Sequence, residues 1–127
     1  MKLFRIRNLT RNSVLAERAG FAADSKARRT GLLKHAAFPE GEGLLIAPCE
    51  LIHTFGMKFP IDAVFLSKKR KVLKIVPNLP ARRLAASLLA DSVLELPAGT
   101  AARTSTAVGD ELLFEPLPAA TAPDPAT

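Results

Sequence analysis

The chain has a single cysteine, no tryptophan and no tyrosine among its 127 residues. It also lacks any long apolar run. Each absence excludes something. With Cys49 alone no intrachain disulfide can form, so the fold must rest on packing. A lone thiol also suits a reducing compartment. Without Trp or Tyr the main platforms for stacking bases are missing, and the basic residues are not interleaved with aromatics. Sequence-specific nucleic-acid binding is therefore not expected. No segment approaches the roughly 20 apolar residues of a membrane helix, so no membrane span is expected. The start, Met1-Lys2-Leu3-Phe4-Arg5-Ile6-Arg7, alternates apolar and basic residues where a signal peptide would place an unbroken apolar block. These features together predict a cytoplasmic protein.

What is present is enough apolar material for one core: 48% of the residues are hydrophobic, and the length fits one domain. The net charge of +6 is unevenly spread. Residues 1–35 hold nine Lys/Arg against Glu17 and Asp24, and residues 68–83 hold seven more with no acid. A solvated surface explains such a charge; so does attraction to an anionic partner.

Short apolar runs alternate with Gly/Pro punctuation. Residues 3–7 and 14–16 read as an opening hairpin. Asp24 or Ser25 can cap a short helix over 26–34. The loop Phe38-Pro39-Glu40-Gly41-Glu42-Gly43 leads to a buried strand over 44–47. A second run covers 50–55. Residues 61–66 and 72–76 form a hairpin with the basic turn Ser67-Lys68-Lys69-Arg70-Lys71, ended by Pro77 and Pro80. Residues 81–90, rich in Ala and Leu, read as a helix or a loop. Strands follow at 92–96 and 111–114, with one helical turn near 101–105. The pattern predicts a mainly β fold, a compact β-sandwich or jelly-roll-like barrel with one or two short helices. Residues 1–115 make a single β domain. The segment 116–127, with four prolines and no bulky residue after Leu117, is expected to be disordered.

The densest cluster of polar and sulfur groups is the segment from Pro48 to Asp62. Cys49 and His53 are four apart. On a helix they would share a face, but on a strand they lie about 13 Å apart, beyond the reach of one metal or one hydrogen bond. The simplest reading of Cys49 is a small buried hydrophobe. A zinc site needs three or four ligands, and one Cys with two His at no recognised spacing does not supply them. No metal or cofactor is expected, and His35 has no obvious partner. Asp62 stands at the start of an almost wholly apolar strand, where an unpaired buried carboxylate is costly, so it should have a partner or sit at the rim. His53, Thr54, Lys58, a distant arginine or turn N–H groups are the candidates. A meeting of His53 with Asp62 would bias the ionisation of both, a common active-site device. Met57 and Phe59 read as core. Val108-Gly109-Asp110 reads as a turn.

Several segments occur in a fixed order: Thr30-Gly31-Leu32-Leu33, Glu40-Gly41-Glu42-Gly43-Leu44-Leu45, His53-Thr54-Phe55-Gly56-Met57-Lys58, Ile61-Asp62-Ala63-Val64-Phe65-Leu66, Val93-Leu94-Glu95-Leu96-Pro97-Ala98-Gly99-Thr100 and Val108-Gly109-Asp110. This order resembles the prokaryotic domain-of-unknown-function family number 192. The resemblance implies a compact β domain and no established reaction. It carries shared polar positions onto His53, Thr54, Met57, Lys58, Asp62 and Glu95, which would converge near one pocket. Cys49 stands where a subgroup of the family places a cysteine. The chain departs from the family at the hairpin turn, where Lys68, Lys69, Arg70 and Lys71 replace acidic residues and glycine, and at Thr104-Ser105-Thr106, where a glycine is usual.

The functional expectation is a binding or accessory module. Cys49, His53, Thr54, Met57, Lys58, Asp62 and Glu95 would hold a small ligand or peptide end, while Lys68, Lys69, Arg70 and Lys71 would meet an acidic protein partner. Two alternatives stand beside it. One is a small enzyme using a His53–Asp62 acid/base pair or a Cys49 nucleophile. The other is a weak binder of anionic surfaces or nucleic acid.

Overall fold

The computed structural model describes residues 3–22 and 38–118. The expected helix over 26–34, His35, the Thr30–Leu33 motif and most of the C-terminal tail lie outside the described residues. The order of elements is β1 (Phe4–Asn8), β2 (Ser13–Ala22), β3 (Glu42–Ile46), β4 (Leu51–His53), β5 (Ile61–Leu66), β6 (Val72–Leu79), β7 (Leu84–Ala86), β8 (Ser92–Pro97), α1 (Thr100–Arg103) and β9 (Leu112–Pro116). The mainly β expectation holds.

Seven strands form one sheet in the order β6-β5-β8-β3-β2-β1-β9. Neighbours are antiparallel except β2 and β3, which run parallel. The sheet curls into a half-barrel, and its two outer strands approach each other at one end through a bridge between Lys71 and Glu111. Backbone bonds from Val72 N to Asp110 O (2.8 Å) and from Leu112 N to Arg70 O (3.0 Å) secure that meeting. That pairing occupies the N–H and C=O groups at one end of each outer strand, where an open edge would invite another chain. A second sheet contains only β4 and β7, with Ile52 opposite Ala85.

Strand alternation sorts the interior into two cores. One takes a residue from every strand of the large sheet (Ile6, Leu15, Leu45, Val64, Val72, Leu94, Leu112), so it fills the concave side. The other combines Ile61, Ala63, Phe65 and Val93 with Ile52 and Ala85, so it lies between the convex side and the β4–β7 ribbon. Each fully buried Leu, Ile or Phe adds roughly 1.5–3 kcal/mol of transfer free energy. Gly43 faces the concave side at a crowded point: a Cβ there would lie 3.0 Å from Leu96 Cδ2 and 3.4 Å from Ala16 Cβ.

Three elements differ from their sequence readings. The Ala/Leu-rich stretch after Pro80 contains strand β7, because cross-strand pairing with β4 overrides its helical composition. Strand β6 runs through Pro77 to Leu79; as the edge of the sheet it tolerates a residue without an N–H. The run over 50–55 yields only three strand residues, and these pair outside the main sheet.

Candidate functional site

Asp62 is fully buried, and both its oxygens are engaged by backbone. Oδ1 accepts from the Asn78 N–H at 2.9 Å and the Gly99 N–H at 3.2 Å; Oδ2 accepts from the Ala101 N–H at 2.8 Å. The carboxylate thus ties β5 to β6 and to the first turn of α1, whose N–H groups have no partner within the helix. Gly99 precedes that turn at φ 94°, a left-handed conformation suited to glycine. This is the capping role weighed for Asp62 in the sequence.

Pairing places Asp62 opposite Leu96 and Ala63 opposite Glu95. Leu96 belongs to the concave core and Ala63 to the convex one. Asp62 and Glu95 therefore point to opposite faces of the sheet. Met57 and Cys49 pack with the convex core, as Glu95's neighbours Ala63 and Val93 do. His53 sits in the ribbon above the same face; it alternates with inward-facing Ile52, and its ring lies 5.6 Å from that of Phe55. Glu95 is a fully buried carboxylate. The sheet thus separates Asp62 from His53, while Cys49, His53, Met57 and Glu95 share the convex side.

Thr54 is buried and acts as a clasp. Its hydroxyl donates to Pro80 O at 2.6 Å and accepts from the Arg83 N–H at 2.9 Å. Its own N–H donates to Arg83 O at 2.9 Å, and its carbonyl accepts from the Arg82 N–H at 3.2 Å. These bonds fix the turn after β4 against the approach to β7. Lys58 is exposed on that turn.

Cys49 lies before β4. Its thiol donates to Leu51 O at 3.2 Å, and its N–H donates to Asp91 O at 2.9 Å. It lines a cavity of about 330 Å³ with Pro48, Glu50, Ala90 and Asp91. The sequence reading named Cys49 but neither Glu50, its neighbour in the chain, nor Asp91, which the fold brings to Cys49 from just before β8. A second cavity of about 480 Å³ is lined by Val14, Glu17, Glu40, Gly41 and Arg103, among others. Among the described residues no group of three or more His, Cys, Asp and Glu side chains is placed to hold a metal ion.

At the β5–β6 turn Lys68, Lys69 and Lys71 are exposed. Arg70 behaves differently. At φ 64° it turns back, its guanidinium lies 4.3 Å from the Phe114 ring centroid, and it reaches Ser92 Oγ at 3.5 Å. Beside it Asp110 Oδ2 accepts from Asn8 Nδ2 (2.9 Å), Arg11 Nε (3.1 Å) and the Ala107 N–H (2.9 Å). Burial works to raise the Asp110 pKa, but the Asn8 amide, the Ala107 N–H and Arg11 outweigh it and hold the carboxyl below its ordinary value.

Comparisons with known proteins agree with this architecture. The model of the DUF192 family, described as uncharacterized ACR, matches residues 7–114. No curated protein matches the chain. A crystal structure from Sinorhizobium meliloti, of a candidate transcription regulator, aligns with a TM-score of 0.75 at 22% identity, covering 89% of this chain and 92% of that one. A protein of unknown function from Novosphingobium aromaticivorans aligns with a TM-score of 0.72 at 20% identity, covering 87% and 83%. At these identities the likeness speaks for the fold alone. Among the described residues no helix is long and apolar enough to cross a membrane.

Proposed function

The chain belongs to the DUF192 family, and from that premise we propose that it is a binding module whose ligand site is the cavity beside Cys49. The observation that carries this reading is an open cavity of about 330 Å³ whose lining includes Cys49 and two acidic residues, Glu50 and Asp91. That volume lies at the small end of ligand pockets. The lining suits a small ammonium group, such as a simple amine or the free N-terminus of a peptide, since carboxylates form strong charge-assisted bonds with such donors. Of the residues that the sequence singled out, Cys49 alone belongs to the lining of this cavity. Thr54 holds the ribbon in place, while Asp62 serves the fold on the opposite face.

The test is an amide NMR titration with propylammonium chloride, then with a tetrapeptide carrying a free or an acetylated N-terminus. Saturable shifts at Cys49, Ala90 and Asp91, weakened about tenfold by Asp91→Asn, are expected for the amine and the free peptide. Equal shifts from the acetylated peptide, or none up to about 10 mM amine, would sink the reading.

The exposed Lys68, Lys69 and Lys71 favour a second, separate contact with an acidic protein partner. Such a contact weakens as salt rises, because exposed charges are screened. Salt-insensitive capture by a polyglutamate column would remove it.

A further inference from the structure

The outer face of the β4–β7 ribbon carries a concentration of exposed apolar side chains. Register places Leu51 opposite Ala86 and His53 opposite Leu84, so these four share the face turned away from the core residues Ile52 and Ala85. Leu51 is 53% exposed, Leu84 64%, and Phe55 beside His53 49%. The turn that follows β7 adds Leu88 and Leu89 at 84% and 86%, more exposed than any other large apolar residue described. Exposed apolar side chains gathered on one ribbon face, as Leu51 and Leu84 are, mark an interaction site in proteins that are otherwise well packed.

The ends of the ribbon differ in charge. Exposed Lys58, Arg82 and Arg83 stand at the end formed by the turn after β4 and the approach to β7, which the Thr54 clasp holds together. Glu50 and Asp91 stand at the other end, joined to the ribbon by Ser87 N to Glu50 O (2.9 Å) and Cys49 N to Asp91 O (2.9 Å). Lys74 also reaches that end, where its Nζ donates to Ala86 O at 2.8 Å and leaves the carboxylates in the majority.

We infer that this face is the docking surface for a second copy of the chain, related by a two-fold axis. A two-fold interface is self-complementary, and an axis running across the ribbon lays each patch on its own image turned end for end. Here that operation lays the Arg82/Arg83 end of one copy on the Glu50/Asp91 end of the other, with leucines between. The surface thus carries both halves of its own complement. An anionic bilayer would meet the acidic end with like charge, so it fits less well.

The experiment is sedimentation equilibrium of the full chain from about 5 µM to about 500 µM. The expected result is a monomer–dimer equilibrium that Leu84→Asp weakens at least tenfold, about the loss of one central apolar anchor. Arg83→Glu and Glu50→Arg each weaken it, and the double variant recovers it because the charges are exchanged across the axis. All substitutions are at exposed positions, and a thermal midpoint unchanged at a concentration where the wild type is monomeric confirms that each variant is folded. A chain that stays monomeric throughout overturns the inference. So does a double variant no stronger than the singles. Binding of the wild type to phosphatidylglycerol vesicles in place of dimerisation assigns the face to lipid and overturns it as well. Leu84→Asp leaves the cavity lining intact, so amine binding measured on that monomer stands or falls independently.

Discussion

The two faces of the curled sheet are built alike and used differently. The concave side is closed by strands of the same sheet, by the Lys71–Glu111 meeting and by the Asp110 cluster. Its polar groups are bound to backbone or to each other. The convex side is covered by a separate two-stranded ribbon, held by Thr54, and beside it lie the Cys49 cavity and the exposed leucines. A barrel interior must be filled and sealed, so a carboxylate there serves the fold. A face covered by a short ribbon leaves edges and cavities where chemistry can meet solvent.

The strongest way to break the concave side is Asp62→Ala. It removes one charged acceptor from three buried N–H groups, and a loss of roughly 3–5 kcal/mol is expected from a shift of the denaturant midpoint. Asp62→Asn keeps one acceptor oxygen and retains part of that stability. Gly43→Val drives a side chain into Leu96 and Ala16 and should cost about 1–3 kcal/mol by the same measurement.

On the convex side Thr54→Val loses both bonds of the hydroxyl, an effect of about 1–3 kcal/mol. Hydrogen exchange should locate it: amides of β4 and β7 lose protection while β5 and β8 keep theirs. Equal loss everywhere would show that the ribbon and the barrel open as one unit.

A smaller effect is expected from pH. The folded pKa of Asp110 is depressed, so its stabilisation is complete above the unfolded value, about 3.9, and is lost as pH falls through the lower folded value. Asp110→Asn should therefore flatten the fall in stability below about pH 4, measured by urea unfolding across that range. The smallest effect tests the separation of the faces. The ring signals of His53 should follow the same pH course in wild type and Asp62→Asn, and a displaced course would mean that the two groups communicate through the sheet.

Much of the strand pattern was legible in the residues. The hairpin of β5 and β6 is a run of β-formers, a polar break and a second such run; each reads locally. Strand β7 was not legible, because Leu84-Ala85-Ala86 has helical composition and becomes a strand only through its pairing with β4. Asp62 was recognisable as an acid that needs a partner or a place at the rim, yet its partners at Asn78, Gly99 and Ala101 lie on other elements. Asp110 read correctly as a turn residue, but its bond to Asn8 joins positions 102 apart.

The sequence by itself determined the mainly β class and the family, because periodicity, turn residues and motif order are local features; it left Asp62 either partnered or at the rim. Only the tertiary structure decided which groups meet. A strand turns alternate residues to opposite faces, so one position in register separates Asp62 from Glu95 by the whole sheet. The same register and the ribbon's pairing bring Cys49 beside Asp91 and set Leu51 with Leu84 on one exposed face.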